Sequence, residues 1–344
     1  MNMGKLRKLL FPFSILFGVI TYVRNKFFDW GVMSSYVIPV KSITVGNLSV
    51  GGTGKTPLVA FLAVILSKTK KTTILSRGYG RNTKGYFQAN ATSSASTVGD
   101  EPLQYFTQLA PDVSVVVCES RTEGVQKIMS EIQPEIILLD DAFQHRKVKA
   151  GYSILLMDYN KPFYKDCMLP AGDLREYTSG KKRADRLIVT KCPADLSIET
   201  KKNICLKTGF LDTHVYFSNI VYGSILSFDN QVIKTFGKVL LVTGIANPFP
   251  LYSHIKETNK VELVTFPDHH AFSVTDIQKI HTKFDLLEDT NAVILTTEKD
   301  FMRLKSIVTK NELERYPWCY IPIRISLDRE EEFVQEIINY VNTI

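Results

Sequence analysis

The stretch SITVGNLSVGGTGKTPLVAFLAVIL, residues 42–66, decides the fold of this chain. It predicts a buried strand at 43–45, a glycine-rich turn, and a helix with Pro57 in its first turn. Such a turn directs backbone N–H groups at phosphate oxygens, and the helix N-terminus adds partial positive charge. Ser49 stands where the common phosphate-binding spacing has a glycine, so an ordinary glycine-rich turn stays the alternative.

The turn and the start of the helix supply the predicted nucleotide-binding groups. Lys55 can reach the β- and γ-phosphates of ATP, and the Thr56 hydroxyl is a suitable ligand for Mg²⁺. ATP and Mg²⁺ are therefore the predicted cofactors. The predicted binding set is Gly51, Gly52, Thr53, Gly54, Lys55 and Thr56.

A second signal is PEIILLDDAFQHRKV, residues 134–148, an apolar strand that ends in Asp140 and Asp141. In nucleotide-dependent enzymes one such carboxylate holds Mg²⁺, directly or through water, and the other orders a water or a catalytic group. The alternative is that two aspartates merely end a strand.

Composition narrows the class of protein without choosing a substrate. The 344 residues predict two domains or one large one, and 44% hydrophobic with 22% charged residues is ordinary for a globular protein. A net charge of +7 suits anionic partners such as nucleotides, phosphorylated substrates or an acidic membrane surface. The five scattered cysteines form no C-x-x-C pair, which indicates reduced thiols and a cytosolic compartment.

The first thirty residues predict a membrane-associated helix. An apolar run at 9–23 is flanked by basic residues. Fifteen helical residues span only about 22 Å, short of the ~30 Å hydrocarbon core of a bilayer. We therefore expect a helix that lies in the membrane interface, with a terminal helix packed on its own domain as the alternative.

Strands alternate with helices on both sides of a region of alternating polar and apolar residues, which predicts two α/β units with mainly parallel sheets. The first is a P-loop NTPase-like α/β/α kinase domain at 31–222, and a β-ribbon linker follows at 223–237. The second, smaller α/β/α lobe is placed at 238–344, ending in a strand at 320–327 and an amphipathic helix.

Several polar residues stand at predicted strand ends and turns, where local sequence alone leaves their roles open. Asp100 is favoured as a helix N-cap, and Glu101 as a first-turn acid. A histidine in the segment 267–272 can act as a general base, although adjacent loop histidines are more often surface or capping residues. The remaining polar residues singled out in these loops are Arg77, Arg175 and Glu176.

Eight stretches, in order from residue 45 to residue 300, resemble the tetraacyldisaccharide 4′-kinases of lipid A synthesis. They are VGNLSVGGTGKTP, LSRGYGR, VGDEP, ILLDDAFQHR, LPAGDLRE, TGIANP, FPDHHAF and TTEKD. The resemblance implies two α/β/α lobes joined by a β-linker, with the active site in the cleft. It implies ATP-dependent phosphorylation of the 4′-hydroxyl of a tetraacylated glucosamine disaccharide 1-phosphate at the cytoplasmic face of the inner membrane.

The same resemblance implies residue roles. Asp100 corresponds to the catalytic base and His269, rather than His270, to its partner. Lys55, Asp140 and Asp141 complete the implied catalytic set. The implied metal ligands are Thr56, Asp140 and Glu101, and the implied substrate contacts are Arg77, Glu101, Arg175 and Glu176.

The implied partners are the lipid A disaccharide precursor and the membrane surface; no nucleic acid and no obligatory protein partner is predicted. Asp173 in LPAGDLRE departs from the residue expected there, which weakens the inference about substrate contacts nearby. Two other functions remain open from the sequence. One is a membrane-associated P-loop NTPase switch that regulates a protein partner, and the other is a soluble small-molecule kinase.

Overall fold

The computed structural model of the protein describes residue 7 and residues 9–343. Lys5 and Lys8, two of the basic residues that flank the predicted N-terminal helix, lie outside this part of the chain.

Helices and strands alternate through the first two thirds of the chain. In order they are α1 (Phe11–Asp29), β1 (Tyr36–Val37), β2 (Lys41–Asn47), α2 (Lys55–Leu66), β3 (Thr72–Ser76), β4 (Phe87–Gln88), α3 (Ala95–Val98), α4 (Asp100–Leu109), β5 (Val113–Val117), α5 (Arg121–Glu131), β6 (Ile136–Asp140), β7 (Val148–Lys149), β8 (Tyr152–Asp158), β9 (Arg186–Thr190), α6 (Ile198–Thr208) and β10 (Val215–Tyr222). Short 3₁₀ turns occur at Phe163–Lys165, Thr178–Arg183 and Asp212–His214.

The remaining third continues the alternation. Its elements are β11 (Leu226–Ser227), β12 (Val239–Thr243), α7 (Phe249–Lys256), β13 (Val261–Thr265), α8 (Val274–Asp285), β14 (Val293–Thr297), α9 (Glu298–Leu304), α10 (Lys310–Arg315), β15 (Trp318–Ile321), β16 (Ile323–Leu327) and α11 (Glu330–Asn342).

A nine-stranded sheet in the order β16-β10-β9-β8-β2-β6-β3-β5-β4 forms the first lobe. The seven strands from β10 to β5 run parallel, and the two edge strands are antiparallel. Their apolar runs are buried because helices cover both faces. The predicted α/β fold with a mainly parallel sheet is confirmed. Since β2 pairs with β6, with Val45 opposite Asp140, the glycine-rich loop and the two aspartates leave the same edge of the sheet.

The second lobe has a five-stranded sheet in the order β11-β15-β14-β12-β13. Its four longer strands are parallel, and β11 pairs antiparallel with β15. The predicted linker at 223–237 is wrong in part, because Leu226 pairs with Tyr320 within this sheet.

The assignment of 238–344 to the second lobe is wrong at its C-terminal end. After β15, strand β16 leaves the second sheet and pairs antiparallel with β10, with Ile325 opposite Ile220. Pro322 separates the two strands, and a proline cannot donate to a continuous ladder. The ribbon of β10 and β16 therefore connects the lobes. Helix α11 then buries three apolar side chains in the core of the first lobe: Phe333, Ile337 and Val341.

Helix α1 contacts the first lobe through a narrow stripe of small residues. Ser14, Gly18 and Thr21 are buried, and the Ser14 hydroxyl accepts a hydrogen bond of 2.9 Å from the Ala171 backbone N–H. A Cβ atom on Gly18 would lie 2.5 Å from the Tyr177 hydroxyl oxygen, so a larger residue would force the Tyr177 ring to move. Most of the apolar side chains around α1 are exposed: Leu9, Leu10, Phe11, Phe13, Ile15, Leu16, Val19, Ile20, Tyr22, Val23, Phe27 and Trp30. Within the described residues, α1 and the other helices fall short of the length and apolarity that a membrane crossing needs.

We expect Phe333→Ala to destabilise the first lobe by about 3–5 kcal/mol, because it leaves a cavity where a fully buried ring packed. Hydrogen exchange should accelerate in β2 and α2. As a control, Phe301→Ala should accelerate exchange in β12 and β14, because Phe301 is buried in the core of the second lobe. Faster exchange confined to β12 and β14 in the Phe333 variant would contradict the placement of α11.

Candidate active site

The glycine-rich loop is a preformed turn between β2 and α2. Gly51 and Gly54 have φ angles of 106° and 80°, which favour glycine, and Gly54 is the N-cap of α2. The Thr53 hydroxyl accepts a hydrogen bond of 2.8 Å from Asn47 Nδ2, and the Thr53 carbonyl accepts one of 2.9 Å from the Thr190 hydroxyl. The loop is therefore fixed from the ends of two strands, β2 and β9, with Lys55 and Thr56 in the first turn of the helix.

Asp140, the last residue of β6, is a buried carboxylate with one unsatisfied oxygen. Its Oδ2 accepts a hydrogen bond of 2.9 Å from the Ser76 hydroxyl, while Oδ1 is buried and accepts none from the described residues. Burial, and after it the charges of Glu101 and Asp141, raise the pKa of Asp140 to about 7. A cation at this position would relieve that cost.

Asp141 has the opposite electrostatic environment. Its Oδ1 lies 2.9 Å from Arg175 Nη2 and 3.7 Å from Lys55 Nζ. Burial alone would raise the pKa of Asp141, but Lys55 and Arg175 outweigh it and lower that pKa to about 2. Asp141 therefore stays ionised and holds both cations beside the loop.

Asp100 and His269 face each other across the two lobes. The distance between Asp100 Oδ2 and His269 Nδ1 is 3.4 Å. The N-cap role favoured for Asp100 is wrong: Gly99 is the N-cap of α4, and Asp100 is the first helical residue. His270 points elsewhere, with its Nε2 3.0 Å from Asp276 Oδ2. Of the two histidines, the geometry brings His269 to Asp100.

Glu101 and Arg77 lie near the aspartates at the end of β6. Glu101 follows Asp100 in the first turn of α4, and its charge acts on Asp140. Arg77 is exposed just beyond the carboxyl end of β3, and its charge lowers the pKa values of Arg121 and His145 in addition to the larger effect of burial. Both residues therefore lie on the side of the lobe where the loop and the aspartates meet.

Arg175 and Glu176 have different surroundings. Arg175 binds Asp141 and the Asn47 carbonyl, so it belongs to the loop region. Glu176 is buried and accepts hydrogen bonds from Asn25 (2.7 Å), Gln144 (3.1 Å) and Arg183 (2.7 Å). The contact with Asn25 ties α1 to the lobe. Because Glu176 is 1% exposed and bound by these three donors, the geometry does not support a direct substrate contact for it.

Sequence reasoning missed four residues of the site. Asn47 has no signal beyond its place in the VGNLSVGGTGKTP stretch, and Gln144 has none beyond its place in ILLDDAFQHR. Gln144 Nε2 donates to the Asn47 carbonyl at 2.7 Å. Lys299 and Arg303 reach the Asp100–His269 pair from α9, with no local signal beyond the TTEKD stretch.

A preformed phosphate loop, two acids at the adjacent strand end and an Asp–His pair define a P-loop phosphotransferase. Comparison with known proteins narrows this class. A sequence model of the family described as tetraacyldisaccharide-1-P 4′-kinase matches residues 6–342. The chain belongs to this family, and the predicted resemblance is confirmed.

The tetraacyldisaccharide 4′-kinase of Flavobacterium psychrophilum is 43% identical over 351 residues, which cover 99% of this chain and 98% of that protein. The protein of the same name from Bacteroides thetaiotaomicron is 42% identical over 98% of this chain and 94% of its own length. The crystal structure of LpxK from Aquifex aeolicus in complex with ATP aligns with a TM-score of 0.78 at 31% identity, over 98% of this chain and 100% of that one. None of these matches supports a regulatory switch.

We expect Asp140→Asn to raise the melting temperature measured by calorimetry at pH 8 without metal, by about 2–4 °C for each kcal/mol recovered. At that pH the carboxylate is ionised although burial opposes the charge. The matched variant Asp141→Asn should melt at a lower temperature, because it loses a carboxylate paired with Lys55 and Arg175. Equal shifts in the two variants would contradict this electrostatic assignment.

Proposed function

We propose that this protein transfers the γ-phosphoryl group of ATP to the 4′-hydroxyl of a tetraacylated glucosamine disaccharide 1-phosphate, in the biosynthesis of lipid A. One observation carries the proposal: the glycine-rich loop and Asp140 leave the same edge of the first sheet, and Asp100 faces His269 across the lobes. Glu101, the residue after Asp100, is near enough to Asp140 for its charge to raise the pKa of Asp140. Phosphoryl transfer depends mainly on positioning and electrostatics, which this arrangement provides.

The nucleotide subsite consists of Gly51 to Thr56, whose N–H groups and Lys55 ammonium bind phosphate oxygens. Thr56, Asp140 and Glu101 fit Mg²⁺, because Asp140 Oδ1 is a buried oxygen that accepts no hydrogen bond from the described residues. Within that part of the chain no cluster of three or more His, Cys, Asp or Glu residues forms a metal cage. Mg²⁺ usually needs only one or two carboxylates, and when bound it neutralises charge on the transferring phosphoryl group.

Asp100 is the proposed general base. Its Oδ2 faces His269, so Oδ1 is the oxygen that would receive the proton of the sugar hydroxyl. As that O–H bond breaks, the sugar oxygen forms a bond to the γ-phosphorus, and the bond from phosphorus to the ADP oxygen breaks. His269 orients the carboxylate throughout, and Lys55 neutralises charge on the phosphates.

Helix α1 is the proposed membrane contact, at the cytoplasmic face of the inner membrane. Its exposed apolar side chains form a surface that water does not favour. An open groove of about 440 Å³ lies beside it, between Val19 and Tyr22 on the helix and Tyr177 to Ser179 on the lobe. The helix side of this groove is mainly apolar and the lobe side carries hydroxyl groups, which suits a sugar with attached acyl chains.

The proposed reaction is tested with labelled ATP and a lipid A disaccharide precursor in mixed micelles. Label should appear in the lipid, and Asp100→Asn should lower kcat by about 10²–10⁴-fold with little change in the Kd for ATP. Release of labelled phosphate without labelled lipid would point to a hydrolysing switch instead. Turnover near that of the wild type in Asp100→Asn would remove Asp100 from the role of base.

The membrane contact is tested with Ile20→Glu, which places a charge on the exposed face of α1. Its affinity for vesicles that contain anionic phospholipid should fall about tenfold or more, since burial of an isoleucine side chain contributes about 1.5–3 kcal/mol. Leu206→Glu is the matched control, because Leu206 is 82% exposed on α6. Equal loss of vesicle binding in both variants would contradict a specific role of α1.

A further inference from the structure

The two lobes contact each other through α4 and α9. Leu103 of α4 packs against the core of the second lobe, and polar side chains are buried beside it. Asp100, Gln104 and Gln108 recur every four residues and so lie along one face of α4. At one end of the contact, Glu298 of α9 accepts hydrogen bonds of 3.0 Å from Gln104 and 2.6 Å from Gln108. At the other end, Arg303 Nε lies 3.4 Å from Asp100 Oδ2. The helices therefore pack antiparallel, with Asp100 at the Arg303 end.

Arg303 is buried, and its terminal nitrogens are all held within the second lobe. Nη1 donates to the His270 carbonyl at 2.8 Å, and Nη2 donates to Asp300 Oδ1 at 2.5 Å and to the Gly244 carbonyl at 3.3 Å. Nε is buried and makes no hydrogen bond within the described residues. This remaining donor faces Asp100 across the lobe boundary, and a small closure of the cleft would complete the bond.

Lys299 approaches the other member of the pair. Its Nζ lies 3.0 Å from His269 Nε2. An ammonium group can only donate, so Nε2 must accept and the ring proton must lie on Nδ1. Nδ1 is the nitrogen that faces Asp100 Oδ2. Lys299 thus selects the tautomer in which His269 donates to the carboxylate. Asp268 Oδ1 also lies near Lys299, 4.0 Å from its Nζ.

We propose that Lys299 and Arg303 are positioning residues for the transfer reaction: Lys299 fixes the tautomer of His269, and Arg303 orients the carboxylate of Asp100. Helix α9 delivers both contacts from the second lobe in the register that Glu298 sets. The inference rests on the proposed roles of Asp100 and His269. The alternative is a purely structural role, in which Arg303 only pairs with Asp300, and the test must distinguish this role from positioning.

Arg303→Lys and Lys299→Met are the informative variants. Lysine at 303 keeps a cation beside Asp300 but lacks the donor at Nε. Methionine at 299 keeps the length of the side chain and loses the donor to His269, and this position is partly exposed, so the fold is retained. Each should lower kcat by about tenfold to a hundredfold with an unchanged KM for ATP, because misplaced reacting groups cost rate rather than nucleotide binding. Lys299→Arg, which retains a donor, should recover most of the turnover.

A double-mutant cycle distinguishes positioning from structure. In the Asp100→Asn background, Arg303→Lys should cause no further loss of kcat, because its effect passes through the carboxylate. In the His269→Gln background, Lys299→Met should likewise add nothing. Arg315→Lys, a conservative change at an exposed ion pair with Asp285, is the matched control and should leave kcat unchanged in every background.

The kcat values of these variants distinguish the possible roles. Normal kcat in Arg303→Lys and Lys299→Met, with reduced kcat in Asp100→Asn, would overturn this inference and leave the proposed function intact. The same fold-loss in wild-type and Asp100→Asn backgrounds would also overturn it, in favour of a structural role. Normal kcat in Asp100→Asn would overturn the proposed role of Asp100 as the general base, and the inference with it.

Discussion

The packing of α4 against α9 is the contact on which the geometry of the site depends, because it joins the lobes at the helix that begins with Asp100. Glu298 is buried, and burial raises its pKa against the hydrogen bonds from Gln108 and Gln104. A slip by one helical turn would leave this carboxylate buried without its amide partners, which is costly. An apolar contact would tolerate such a slip. The polar contact permits one register, and in that register Asp100 meets both His269 and Arg303.

The sequence predicts the half of the site that lies within one sheet, because its signals are local. The glycine-rich turn with Lys55 and the strand that ends in Asp140 can each be recognised from a short stretch of sequence. Parallel pairing of β2 and β6 then brings them to one edge of the first sheet. Lys299 and Arg303 have no such signal. Their partners lie in a loop about thirty residues away and in a helix of the other lobe, and helical periodicity does not say which surface a helix meets. For the same reason local reasoning favoured a capping role for Asp100.

The end of the chain illustrates a second limit of sequence reasoning. Alternation of strands and helices predicts one strand at 320–327 followed by an amphipathic helix. The helix is confirmed, but the predicted strand is two strands, β15 and β16, in different sheets. The periodicity of α11 indicates only that Phe333, Ile337 and Val341 need an apolar surface. Both the nine-stranded and the five-stranded sheet have such a surface. Pro322 is the local feature that decides, because it ends β15 and lets β16 continue on the other lobe. The chain thereby crosses between the lobes twice, and the return strand ties the C-terminal helix to the lobe that carries the phosphate loop.

Adjacent residues 140 and 141 show how one strand end supplies two different acids. Arg175 and Lys55 hold Asp141 ionised, so the charge of this carboxylate is already paired with cations of the protein. Asp140 is more deeply buried and lies near the charges of Glu101 and Asp141. It accepts a hydrogen bond from the Ser76 hydroxyl, and its other oxygen accepts none from the described residues. Environments that push two pKa values apart assign different roles to chemically equal groups. A cation would therefore relieve the cost of burying the first aspartate, and the second aspartate holds the loop lysine beside it.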